Sequence, residues 1–144
     1  MRSRAGGGTQ LSTDPVLVVD DSEGVRSSVS DLLRSAGYTV LEAEDTQAAI
    51  EVLRGTRVGA VVLDVRMPGG GGLAVLETLD DPPPVILMSA FPLDSDEYTR
   101  ADAKIFVQLV KPFHPRRLLE AVASAMGPAD SSTENPAGGS EPDT

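Results

Sequence analysis

No cysteine occurs among the 144 residues, which excludes a disulfide framework and any cysteine-ligated metal and suits a reducing compartment. Histidine occurs once, at His114, so a histidine-based metal centre is excluded as well. Long apolar runs are missing too. No stretch approaches the roughly 20 residues of a membrane span, and Met1-Arg2-Ser3-Arg4 has no apolar segment behind it, as a signal peptide would. Basic charge is scarce: 12 Lys and Arg against 22 Asp and Glu leave a net charge of −10, which disfavours unaided contact with nucleic-acid phosphates. These absences lead us to expect a soluble, cytoplasmic protein without membrane insertion or direct nucleic-acid binding.

What is present is one domain's worth of core, with 40% hydrophobic residues. From Gly127 onward the chain carries no large apolar residue, so burial cannot offset its ordering entropy. Tails over 1–14 and 127–144 are expected to be disordered, leaving 15–126 as the folded unit. No output domain is expected after Met126.

Within 15–126, continuous apolar runs alternate with helical periodicity. Val16 to Val19 reads as a buried strand, and Ser22 caps a helix whose Val25, Val29, Leu32 and Leu33 share a face before Gly37 closes it. Tyr38 to Ala43 reads as a strand and Thr46 to Arg54 as a helix. Gly59 to Leu63 is a third strand, ending in Asp64. A short helix through Leu73, Val75, Leu76 and Leu79 is stopped by Pro82-Pro83-Pro84. Val85 to Met88 ends at Ser89, a weak helix follows between Pro92 and Ala103, and Ile105 to Val110 ends at Lys111-Pro112. Pro115 to Met126 is an amphipathic helix with proline in its first turn. The fold class expected is α/β: a five-stranded parallel sheet with helices on both faces, doubly wound.

That architecture places Asp20, Asp21, Asp64, Ser89 and Lys111 along the carboxyl edge of the sheet, where open α/β folds bind ligands. Three carboxylates repel by about 4 kcal/mol per pair at ~4 Å and an effective dielectric of about 20. Lys111 supplies one positive charge against three negative ones. A divalent cation fills the deficit, and oxygen-only donors with open positions favour Mg²⁺, which commonly joins carboxylates to a phosphate.

The set Val16-Leu17-Val18-Val19-Asp20-Asp21, Asp64-Val65-Arg66-Met67-Pro68 with Gly72, Ser89-Ala90 and Lys111-Pro112-Phe113 resembles the receiver domain of two-component response regulators, with its flavodoxin-like fold. The resemblance implies that Asp64 is the phosphoacceptor, charged by a histidine kinase or phosphotransfer protein. It implies that Asp20, Asp21, Asp64 and the backbone carbonyl of Arg66 hold Mg²⁺, that Lys111 contacts a phosphoryl oxygen, and that Ser89 swings to bond another. Such a protein is no enzyme in the ordinary sense, although it catalyses the phosphorylation and dephosphorylation of its own Asp. Its output would be exerted in trans on a partner protein, through a shift of the fifth strand and the segment before it.

Three features depart from the family pattern. Gln108 stands where an aromatic switch residue is usual, with Phe106 two places earlier; Lys104-Ile105 replaces the common Gly-Ala pair; and the interval from Asp64 to Ser89 is short. Arg66 and Phe91, two places beyond the acid and the hydroxyl, suggest a shielded acyl phosphate and slow dephosphorylation. Glycines 69 to 71 read equally well as a permissive loop or a phosphate cradle, and His114 as the start of the last helix. A haloacid-dehalogenase phosphatase wants a second Asp where Arg66 stands. The serious alternative is a receiver-like scaffold or interaction module that does not cycle phosphate.

Overall fold

The computed structural model describes residues 14–67, 71–91, 93, 94, 96 and 105–126. Its elements in chain order are β1 (Val16–Val19), α1 (Glu23–Ser35), β2 (Val40–Ala43), α2 (Thr46–Gly55), β3 (Ala60–Asp64), α3 (Gly71–Thr78), β4 (Val85–Ser89), β5 (Ile105–Val110) and α4 (Pro115–Met126). The expected helix between Pro92 and Ala103 lies outside the described residues except for Leu93, Asp94 and Asp96, as do the expected tails apart from Asp14, which pairs with Arg57.

All strand pairs are parallel, in the order β2-β1-β3-β4-β5. Because side chains alternate across a strand, Leu17, Val19, Val61, Leu63, Val85 and Leu87 face one layer, where α2 and α3 contribute Ala49, Ile50, Leu73 and Leu76. Val16, Val18, Val62, Ile86 and Met88 face the other, where α1 and α4 contribute Val29, Leu33, Leu118 and Val122. Two covered faces explain why β1, β3 and β4 are unbroken apolar runs. The chain turns from β1 to β2 on one side and to β3 on the other, so the crevice between the ends of β1 and β3 is the switch point of the fold.

Helix ends follow their local chemistry. Ser22 accepts from the Val25 amide and Asp45 from the Ala48 amide, so both caps are side-chain caps. At the end of α1, Gly37 adopts φ 101°, its N–H donates to the Arg34 carbonyl and the Tyr38 N–H to the Leu33 carbonyl, the paired bonds of a Schellman stop. This corrects the second strand: Tyr38 spends its amide on the helix end, and β2 begins only at Val40. His114 Nδ1 accepts the Arg116 amide at the start of α4.

Strand β5 carries an irregularity that alternation does not reveal. Ile105 pairs with Val85 but Val107 pairs with Ile86, leaving Phe106 without a partner on β4. The shift turns Gln108 beside Leu87, on the same face as Ser89.

Candidate functional site

Each strand that ends in a polar residue delivers it to one edge. Asp20 is 1% exposed, Asp64 6% and Ser89 3%, whereas Asp21 lies open to solvent. One carboxylate oxygen from each of Asp20, Asp21 and Asp64 lies within 4.8 Å of the others. Lys111, directly after β5, donates from Nζ to Asp64 Oδ1 at 3.3 Å and to Asp20 Oδ2 at 3.5 Å. Its backbone N–H donates to the Ser89 carbonyl at 2.7 Å, which ties the lysine to the end of β4.

The local fold keeps these groups in place. Asp20 Oδ1 accepts the Ser22 amide at 2.9 Å, so one acid both faces the pocket and shapes the turn into α1. Behind Asp64, Gly71 has φ 74°, and the Gly72 amide donates to the Val65 carbonyl at 2.9 Å. A Cβ on Gly72 would stand 2.5 Å from the Asp64 carbonyl oxygen, so only glycine lets α3 start this close to the strand end. Thr46 at the start of α2 donates to the Gly71 carbonyl at 3.3 Å.

Burial pushes the Asp64 carboxyl above the ordinary carboxylate range, and the charge of Asp20 pushes the same way. The Lys111 ammonium, by charge and by hydrogen bond, and a hydrogen bond from the Arg66 backbone pull it back without cancelling the rise. A buried acid with an acidic neighbour and one cationic partner is under-compensated. The donor set suits a hard divalent cation: three carboxylates, no sulfur and no imidazole.

The remaining expected residues divide. Ser89 donates its hydroxyl to the Phe91 carbonyl, and Gln108 Nε2 donates to Ser89 Oγ at 3.4 Å. The Phe91 ring is 74% exposed, so this residue meets the site through its backbone. Phe106 is an exposed side chain on β5, and Arg66 is exposed after β3. Of the glycines, 69 and 70 lie outside the described residues. Sequence reasoning missed Arg26, whose guanidinium reaches the Asp20 carbonyl. Its signal was its place one turn into α1, from which a long side chain reaches back to the loop.

A family model, response regulator receiver domain, matches residues 16–123. The chain is 34% identical over 128 residues to the transcriptional regulatory protein FixJ of Bradyrhizobium diazoefficiens, covering 85% of this chain and 61% of that protein. It is 31% identical over 132 residues to the phosphate regulon transcriptional regulatory protein PhoB of Pseudomonas aeruginosa, covering 86% and 58% respectively. The chain thus spans about three fifths of the length of these two relatives. Among solved structures, Vibrio cholerae chemotaxis protein CheY4 superposes with a TM-score of 0.70 at 28% identity, over 78% of this chain and 98% of that one.

Proposed function

The chain belongs to the response regulator receiver domain family, and on that premise we propose that it accepts a phosphoryl group on Asp64 from a histidine kinase or phosphotransfer protein. One observation carries the assignment: Lys111 Nζ lies within reach of both Asp64 and Asp20 in a pocket of three convergent carboxylates.

In this reading a carboxylate oxygen of Asp64 attacks phosphorus, the bond to the donor imidazole nitrogen breaks, and the imidazole leaves with the electron pair. Lys111 moves from its two carboxylates to a phosphoryl oxygen. Ser89 gives up the Phe91 carbonyl and donates to another oxygen. Asp20, Asp21, Asp64 and the Arg66 carbonyl would hold Mg²⁺, which supplies neutralisation of charge on the transferring group. The work of these side chains is positioning and charge compensation, so the protein is a signalling domain whose chemistry occurs on its own residue. Arg66 and Phe91, exposed two places beyond the acid and the hydroxyl, would slow hydrolysis of the acyl phosphate if their side chains fold over it once it forms.

We assign the receiver to 15–126, within which the family model falls. Movement of Ser89 and Lys111 biases β5 and the segment before it between two arrangements, which a partner protein reads in trans. The net charge of −10 supports a protein as the reader rather than nucleic acid. No helix among the described residues is long and apolar enough to cross a membrane, which accords with a cytoplasmic place of work.

Incubation with a small acyl-phosphate donor and Mg²⁺ tests the assignment. The parent should be labelled on Asp64 and Asp64→Asn should not. Labelling that survives the substitution would move the phosphoacceptor elsewhere. An unlabelled parent would favour the scaffold reading, to which Gln108 in the aromatic position lends support.

A further inference from the structure

Asp20 has four polar groups in play, and three of them are accounted for by the pocket and the sheet. Its N–H donates to the Ala43 carbonyl on β2 at 3.2 Å, Oδ1 accepts the Ser22 amide, and Oδ2 faces Lys111. The fourth, its backbone carbonyl, accepts from Arg26 Nη1 at 2.8 Å. The Arg26 side chain is only 14% exposed and does not float on the surface: its Nε donates to Glu42 Oε1 on β2 at 3.1 Å. Glu42 is held in turn, since its other oxygen accepts from Arg34 Nη2 at 3.4 Å. One planar guanidinium therefore joins α1, the end of β1 and β2 at the residue that forms one wall of the acid pocket.

We propose that Arg26, anchored by Glu42, is a positioning residue for the cation site, fixing the turn from Asp20 to Ser22 so that both acids of that turn present their oxygens to one ion. The proposal rests on the reading of the acid pocket as a Mg²⁺ site. Groups behind the ligands commonly govern metal affinity by orienting them, and a guanidinium can hold two acceptors at fixed angles where an ammonium cannot. Charge and geometry here act with opposite signs. Arg26 is a cation near a cation site, so by electrostatics alone it weakens Mg²⁺ binding, and its loss would tighten it. By positioning, its loss weakens binding.

The test is a Mg²⁺ titration of the full chain, followed by NMR shifts of the Asp21 and Ser22 amides, with thermal melts in metal-free buffer alongside. R26Q should bind Mg²⁺ about tenfold more weakly than the parent. R26K should fail to restore the affinity although it keeps the charge. Arg34 also pairs with Glu42 but does not touch Asp20, so R34Q should lower the melting temperature slightly and leave the affinity unchanged. E42D, which keeps both charges but draws the carboxylate back from Arg26, should weaken binding in the same direction by less, and it decides the matter if the Arg26 variants do not fold. R26Q binding as tightly as the parent or tighter would overturn the proposal, as would parent-like affinity in E42D or an R34Q defect equal to that of R26Q. A parent that shows no Mg²⁺-dependent shifts would overturn the metal-site reading itself, and the role of Arg26 with it.

Discussion

Gln108 donates its side-chain amide to the Ser89 hydroxyl across the β4–β5 pair, at 3.4 Å, while that hydroxyl donates onward to the Phe91 carbonyl. The two side chains form one hydrogen-bonded unit. If Ser89 serves the phosphoryl group, Gln108 acts only through it. Ser89→Ala should slow labelling from an acyl-phosphate donor by roughly tenfold or more, below the loss of roughly a hundredfold for a strong oxyanion donor. Gln108→Ala should slow it less, and the double variant should match Ser89→Ala alone. Labelling rates that multiply in the double variant would show that the amide acts independently.

Asp64 is costly to ionise in the fold, because burial and the Asp20 charge raise its pKa. A carboxyl raised on folding binds more protons in the native state than in the unfolded one. Stability therefore falls as pH rises through the interval from the unfolded to the folded pKa, and the penalty is complete above it. Asp64→Asn removes that penalty. In Mg²⁺-free buffer at pH 7 its melting temperature should exceed that of the parent by a few degrees, and the advantage should disappear toward acid pH.

Lys111 pairs with both Asp20 and Asp64 and thereby competes with any cation for their oxygens. Lys111→Ala should bind Mg²⁺ several-fold more tightly at low salt, where the attraction of unpaired carboxylates is least screened. If Lys111 meets a phosphoryl oxygen as proposed, the same variant should accept phosphoryl groups more slowly, since that charge is gone. Calorimetric titration and labelling rates measured on one preparation separate the two effects.

Gly72 and Gly24 should respond oppositely to alanine. At Gly72 the added carbon would meet the Asp64 carbonyl oxygen at 2.5 Å and Leu63 Cγ at 3.1 Å, and backbone cannot give way cheaply. Gly72→Ala should cost about 1–3 kcal/mol in urea unfolding. Gly24 lies in α1 with nothing within 4 Å, so Gly24→Ala should add up to about 1 kcal/mol.

Ser30 on α1 is fully buried, and its hydroxyl has no hydrogen-bond partner among the described residues. Such a group carries an uncompensated desolvation cost. Ser30→Ala should stabilise the protein by about 1 kcal/mol, read as a higher urea midpoint at unchanged slope.

The sheet and its acid edge were legible because they rest on local signals. Val16 to Val19, Ala60 to Leu63 and Val85 to Met88 are short continuous apolar runs that suit a doubly covered strand, and each stops at a polar residue. Parallel strands put all those stops on one side, so Asp20, Asp64, Ser89 and Lys111 could be grouped before any distance was known. Tyr38 was misplaced because an apolar aromatic beside a strand reads as strand, whereas the bond from its amide to Leu33 belongs to the helix end.

Residue type and order along the chain determined which groups reach the pocket, since burial of apolar runs dictates the strands and the strands dictate where their polar ends emerge. Tertiary structure alone decided how those groups are held. The unpaired Phe106 turns Gln108 toward Ser89, and Arg26 spans α1, β1 and β2 to reach the Asp20 carbonyl. Pairing register and the reach of long side chains arise between segments distant in sequence, and hydrophobic periodicity, being a property of one segment at a time, carries no record of them.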